Sequence, residues 1–186
     1  TGLPNRALFH DRVRQAIADG EVAPHYQPTI DLLTGDVTRV EALVRWDVHG
    51  QDPHPPSTFL PLAAAAGLMP ALTAAVLDAA VAQIATWRTL GRELDVAVNV
   101  ASDALTDPGF AASVLSTLER HGVSGGRLAL EITEDSLIRE PAAAVAVLGE
   151  LRRAGIRIAI DDYGQGYSSL ARLRELPVDE LKLDKA

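Results

Sequence analysis

Two runs decide the fold: Arg127-Leu128-Ala129-Leu130-Glu131-Ile132-Thr133 and Ile156-Arg157-Ile158-Ala159-Ile160-Asp161, with the stretch from Glu140-Pro141 to Ala154-Gly155 between them. Each run is aliphatic, short and bounded by glycine or polar residues, which reads as a buried strand. The intervening stretch has a proline near its start and a glycine at its end, the punctuation of a helix. Strand, helix and strand in this order make a βαβ unit, whose strands lie parallel with a right-handed crossover.

The same cadence extends in both directions. Upstream, Leu94 to Val100 is a strand, and Asp107-Pro108 starts a helix that reaches His121-Gly122. Downstream, Asp162-Tyr163-Gly164-Gln165-Gly166 leads to a short helix over Ser169 to Glu175, and Val178 to Asp184 is the last strand. Further upstream, Pro24 to Ile30 and Val37 to Trp46 flank the turn Thr34-Gly35-Asp36, which predicts an antiparallel hairpin. Two helices follow the hairpin. One is capped by Ser57 or Thr58 and ends at Gly67, and the other runs from about Pro70 to Leu90. An N-terminal helical stripe is expected on Leu8, Val13, Ile17 and Ala18.

Strands alternating with helices suit a (β/α) barrel, and a doubly wound sheet shares the local pattern. Six strands are counted, hairpin included, whereas a closed barrel needs about eight. A barrel missing about two βα units is therefore expected, either as a shortened piece of a longer protein or with a partner chain on the open edge. The domain assignment is a linker or helix over residues 1–20 and one domain over 21–186.

At 186 residues, with 47% hydrophobic residues, the chain can bury a substantial core. It has no cysteine, which excludes disulfides, thiolate chemistry and Cys-ligated metals. A net charge of −8 argues against a basic face for DNA or RNA. Bound divalent cations would still allow a small anionic ligand. The most apolar stretch, Phe59 to Trp87, is interrupted by Pro61, Pro70 and Asp78, so buried helices are expected rather than a membrane span, and a cytoplasmic location with them. Of 17 basic residues only Lys182 and Lys185 are lysines, which makes each one worth locating.

In parallel α/β folds chemistry gathers at the C-terminal strand ends. Glu41 and Arg45 share a face of the second strand, on the Leu43 side. Taken alone, an ion pair closing the sheet end accounts for them. Asn99 shares a face with Ala97, Glu131 with Ala129 and Thr133, and Lys182 with Asp184. Asp161 and Asp162 end a strand, and Gln27 comes from the first. Each has an ordinary explanation as a cap or turn residue. Together, on consecutive strands, they crowd like charges whose repulsion a cation would offset. Carboxylates and a carboxamide are hard oxygen ligands, suited to Mg²⁺ or Mn²⁺ rather than zinc. With a lysine and an arginine alongside, such a site favours phosphoester chemistry.

The segments Tyr26-Gln27-Pro28, Glu41-Ala42-Leu43-Val44-Arg45-Trp46, Asn99-Val100, Glu131-Ile132-Thr133-Glu134, Asp161-Asp162-Tyr163-Gly164-Gln165-Gly166-Tyr167-Ser168-Ser169-Leu170 and Leu181-Lys182-Leu183-Asp184 resemble the EAL domain, a cyclic di-GMP phosphodiesterase family. The resemblance implies a TIM-like (β/α) barrel with an antiparallel first strand, and hydrolysis of cyclic di-GMP to linear pGpG with Mg²⁺ or Mn²⁺ at a two-metal site. It implies that Glu41, Asn99, Glu131 and Asp161 bind one metal, and that Asp161 and Asp162 serve the second. Lys182 then holds the attacking water, and Arg45 contacts phosphate. Gln27 and Leu43 lie in the substrate groove with Asp184, and Glu134 anchors the Asp162 loop, which the family uses in dimerisation.

Thr1-Gly2-Leu3-Pro4-Asn5-Arg6 resembles the head of a GGDEF domain, although no Gly-Gly-Asp-Glu-Phe run follows. Two departures from the EAL pattern are Ala64, where glutamate is frequent, and Gln165, where a small residue is usual. The family's later Ala-Glu-Gly-Val-Glu and Gln-Gly segments are also absent, and the first carries the proposed general base. The expectation is a phosphodiesterase domain that in this form is weak or inactive, with a non-catalytic cyclic di-GMP-binding or protein-interaction module as the alternative. A homodimer, or association through the open edge, is expected as well.

Overall fold

The computed structural model describes residues 3–47, 54–133, 141–163 and 177–183, with side chains from residue 11 onward except that of residue 141. Helix α1 (Leu3–Ala18) precedes the hairpin strands β1 (Val22–Ile30) and β2 (Val37–Trp46). Helices α2 (Pro56–Ala65) and α3 (Met69–Thr89) come next. Strands β3 (Asp95–Asn99), β4 (Leu128–Thr133), β5 (Arg157–Tyr163) and β6 (Glu180–Leu183) then alternate with α4 (Phe110–His121) and α5 (Pro141–Arg153). One six-stranded sheet results, in the order β1-β2-β3-β4-β5-β6. The β1–β2 pair is antiparallel and the other four pairs are parallel. This is a TIM-like barrel wall with an antiparallel first strand, and among the described residues the sheet does not close between β1 and β6.

Local chemistry explains the turns. Asp31 Oδ1 accepts the backbone N–H groups of Leu33 (2.8 Å) and Thr34 (3.1 Å), and Gly35 takes a positive φ of 78°, which together fold β1 back on β2. Pro24 and Pro28 lie in β1, an edge strand, where a missing N–H costs no ladder bond on the open side. Gly125 meets a different constraint: a Cβ there would stand 2.1 Å from the Ala154 carbonyl oxygen, so the chain entering β4 passes too close to the end of α5 for any side chain.

The sheet has two unlike faces. Val40, Ala42, Val96, Val98, Leu128, Leu130, Ile132, Ile158 and Ile160 are buried in one core with the helices. Ala97, Ala129 and Ala159 are equally buried and stand outside that core, because alternation turns them to the concave face. Their small side chains leave room there for the longer polar residues on the same strands. Helix α3 has the length and apolarity a membrane span would need, and its Leu72, Val76, Leu77, Ala80, Val81 and Ile84 are buried in the core.

Several expectations need correcting. Helix α2 starts at Pro56, with Pro55 as the capping residue and no side-chain cap, so neither Ser57 nor Thr58 caps it; Thr58 Oγ1 donates to the Pro55 carbonyl at 2.7 Å instead. A proline at the first helical position is preset for the helix, and this fixes the start earlier than a polar cap would. The α1 stripe buries Val13 and Ala16, with Ile17 against the core, while Ala18 is exposed. Residues 13, 16 and 17 are the i, i+3, i+4 set of one face. The 3₁₀ turn Ser102–Thr106 was not foreseen. The expected helix over Ser169 to Glu175 lies outside the described residues.

Candidate active site

Five strands deliver polar side chains to one place on the concave face. Glu41 comes from β2, Asn99 from β3, Glu131 from β4, Asp161 from β5 and Lys182 from β6. The register staggers them by two residues at a time: Glu41 pairs with Ala97, two before Asn99, Asn99 is level with Glu131, and Asp161 pairs with Thr133, two beyond Glu131. Lys182 Nζ donates to Glu131 Oε2 at 2.7 Å and to Glu41 Oε2 at 3.1 Å, and stands 3.3 Å from Asp161 Oδ2. Asn99 Nδ2 donates to Glu41 Oε1 at 2.8 Å. One carboxylate oxygen from each of Glu41, Glu131 and Asp161 lies within 4.8 Å of the others.

Glu131 is 3% exposed, the deepest acid of the group. Burial is the main force raising its carboxyl, the Lys182 hydrogen bond opposes it, the Glu41 charge adds to it, and the result is pushed up to about 7. Burial works to lower the Lys182 ammonium, but the Glu131 hydrogen bond and charge, followed by Glu41, overcome it and hold the pKa above the ordinary lysine value. Lys182 therefore stays a cation, able to donate hydrogen bonds and unable to accept a proton.

Other expected site residues are placed as follows. Asp162 takes φ 54° and its N–H donates to Asp161 Oδ1 at 3.0 Å. The β5–β6 register shifts between Ile160 and Tyr163, and Tyr163 packs on the helix-side core rather than the concave face. This bulge re-aims the chain, and the Asp162 carboxylate is not in the group within 4.8 Å. Tyr26 packs on the core with its ring 5.0 Å edge-on to Trp87, so Gln27 beside it faces the concave side, opposite Glu41 in register. Leu43 and Arg45 share the Glu41 face. Arg45 Nη1 donates to the Val44 carbonyl at 2.9 Å, and Glu41 finds its cation in Lys182. The simple Glu41–Arg45 ion pair is thus not formed. Residues four apart in a strand are separated by about 13 Å, and a shared face is not a contact. Glu134 and Asp184 lie outside the described residues.

Beneath this cluster lies a second layer that the sequence reading missed. Arg39 on β2 makes a two-pronged ion pair with Glu180 on β6, with Nη2 to Oε1 at 2.7 Å and Nη1 to Oε2. Arg157 Nη2 donates to Asp95 Oδ2 at 2.7 Å, and Arg127 bridges Asp95 (3.1 Å) and Glu93. Charged residues two positions before Glu41 and before Lys182, of opposite sign, were the available signal.

The donors fit a divalent cation of the hard class. Three carboxylates are clustered closely enough to share an ion, the Asn99 carboxamide is hydrogen-bonded to one of them, and no histidine or cysteine joins the group among the described residues.

Comparison with known proteins agrees with this geometry. Residues 10–186 match the EAL domain family. MucR of Pseudomonas aeruginosa, a bifunctional diguanylate cyclase and cyclic di-GMP phosphodiesterase, is 38% identical over 179 residues, covering 96% of this chain and 26% of MucR. NbdA of the same organism, a cyclic di-GMP phosphodiesterase, is 39% identical over 179 residues, covering 96% of this chain and 23% of NbdA. The chain thus spans about a quarter of the length of these curated relatives. The solved PaMucR phosphodiesterase in complex with c-di-GMP superposes with a TM-score of 0.88 at 36% identity, covering 95% of this chain and 72% of that one. The matched segment, the open (β/α) wall and the acidic cluster at its C-terminal strand ends lead to one assignment: the chain belongs to the EAL domain family.

Proposed function

We propose that the chain binds cyclic di-GMP at the C-terminal ends of its strands and, with Mg²⁺ or Mn²⁺, hydrolyses one phosphodiester bond to give linear pGpG. The observation that carries this reading is the gathering of Glu41, Glu131 and Asp161 around Lys182. The names of MucR and NbdA and the c-di-GMP-bound neighbour support the choice of substrate.

In this reading Glu41, Asn99, Glu131 and Asp161 hold one cation, while Asp161 and Asp162 serve a second. A bound divalent ion supplies charge to the phosphoryl oxygens and makes a water acidic near neutral pH. The protein's own part is placement. Lys182, as a permanent donor, orients the attacking water. Arg45, further along the Glu41 face, meets a phosphate, Gln27 and Leu43 line the groove, and the family resemblance assigns Asp184 to substrate binding as well. The family resemblance gives Glu134 the role of anchoring the Asp162 loop. The water oxygen bonds to phosphorus, the P–O3′ bond breaks, the 3′ oxygen leaves as a hydroxyl, and the proton it gains balances the one the water loses.

A second reading, a module that binds cyclic di-GMP or a partner without turnover, is favoured by the sheet remaining open between β1 and β6 among the described residues. We accordingly expect the 186-residue chain to turn over slowly. Incubation with cyclic di-GMP and Mg²⁺, followed by chromatography for pGpG, tests the proposal, with calorimetry run alongside. Slow, EDTA-sensitive pGpG formation supports hydrolysis. Metal-independent binding without product, where a homologous phosphodiesterase works, overturns it in favour of the module.

A further inference from the structure

Lys182 stands on a weakly tethered strand. β6 is four residues long, its pairing with β5 is interrupted by the register shift, and β5 is its one ladder partner among the described residues. Lys182 nevertheless reaches Glu41 on β2, four strands away, across the concave face.

One layer below, Arg39 and Glu180 join the same two strands. Arg39 precedes Glu41 by two residues and Glu180 precedes Lys182 by two, so period-two alternation stacks the bridges on one face. The signs are crossed: β2 offers a cation and then an anion, and β6 an anion and then a cation. A slip of β6 by one residue would turn both its charges to the opposite face. A slide by two would bring Glu180 against Glu41 or Lys182 against Arg39, like facing like. A single alignment satisfies both bridges. Arg39 and Glu180 are largely withdrawn from solvent, with side chains 18% and 31% exposed, and a two-pronged guanidinium–carboxylate pair holds direction as well as distance.

We propose that Arg39–Glu180 is a positioning pair for the hydrolytic site: it locks β6 in register with β2 across the open barrel, so that Lys182 meets Glu41, Glu131 and Asp161. The proposal rests on the phosphodiesterase reading of that cluster, and neither residue of the pair touches the reacting atoms.

The chain's lysine content allows a direct test, because Lys182 and Lys185 are its two lysines. Lysine labelled with ¹⁵N at Nζ gives at most two ammonium signals, and the half-buried Lys182, hydrogen-bonded to Glu131 and Glu41, is expected to supply a slowly exchanging one. Arg39→Met and Glu180→Gln are expected to remove that slow signal while the backbone amide spectrum stays folded. The charge-reversed double variant Arg39→Glu/Glu180→Arg is expected to restore it. Arg127→Met, which alters the same floor layer without touching Glu180, is expected to leave it intact. In turnover, the two single variants are expected to lose about tenfold or more in kcat with little change in KM, as for a misplaced catalytic group, and the double variant to recover most of it. A slow Lys182 signal that survives both single variants, or that Arg127→Met also removes, would overturn the proposal. If the unmodified chain forms no pGpG, the functional reading fails while the ammonium signal still decides the positioning role.

Discussion

Replacing Lys182 with methionine removes the cation that contacts Glu41, Glu131 and Asp161 and keeps most of the side chain's bulk. In the metal-free protein Glu131, 3% exposed, then faces Glu41 and Asp161 without the ammonium that bonded it, and the Arg39 guanidinium in the layer below acts on it only at longer range. Two unit charges 4.8 Å apart repel by about 3–4 kcal/mol at an effective dielectric constant near 20. Breaking a buried pair by removing one partner costs about 3–5 kcal/mol. The lower end applies, because the Lys182 side chain is 32% exposed and Glu131 can take up a proton. About 3 kcal/mol corresponds to a fall in Tm of about 6–12 °C for a domain of this size. A divalent cation can replace the lost charge. Mg²⁺ or Mn²⁺ at millimolar concentration should therefore raise the Tm of Lys182→Met by more than it raises that of the parent. Calorimetric melting at pH 8 with EDTA and with metal reads both numbers. An unchanged Tm in EDTA, or a fall that metal leaves untouched, would refute the idea that these groups form one electrostatic unit.

Three further outcomes follow from other parts of the molecule. The Glu131 carboxyl, raised by burial to about 7, is better protonated in the fold than in the unfolded chain. Its contribution to metal-free stability is complete below its ordinary value near 4.5, declines as pH rises through about 7 and is level above, and Glu131→Gln should remove that decline from a series of melts. Gly125→Ala drives a methyl group onto the Ala154 carbonyl and should cost about 2 kcal/mol or more, whereas Gly126→Ala, with nothing within 4 Å of the new Cβ, should be near neutral in denaturant titration. Leu181 and Leu183 on the edge strand β6 are 44% and 78% exposed, so light scattering should show mass rising with concentration, and a constant monomer mass would count against association through that edge.

How much of this was legible in the sequence depended on the range of the interactions involved. The βαβ cadence was readable because aliphatic strand runs and glycine-ended helices are local signals. The inward direction of Asn99 and Glu131 was readable because Ala97 and Ala129 share their strand faces, and small residues mark the crowded interior. That Glu41 prefers Lys182 to Arg45 was not readable, since the choice depends on how far the sheet curls to bring β6 near β2, 141 positions away. The Arg39–Glu180 bridge was hidden for the same reason. The positive φ at Asp162 escaped a reading in which consecutive aspartates simply end a strand, although Asp tolerates that conformation better than most residues. The bulge it makes separates the two aspartates, with Asp161 in the cluster and Asp162 beside it.

The central claim is that Glu41, Glu131, Asp161 and Lys182 form a metal-assisted hydrolytic site for cyclic di-GMP. Chromatographic detection of pGpG tests it most directly, comparing the unmodified chain in Mg²⁺, the same chain in EDTA, and Glu41→Gln in Mg²⁺. The account predicts pGpG in the first sample alone, formed slowly. Product that persists in EDTA or in Glu41→Gln, or no product in any sample while a homologous phosphodiesterase works alongside, would contradict it.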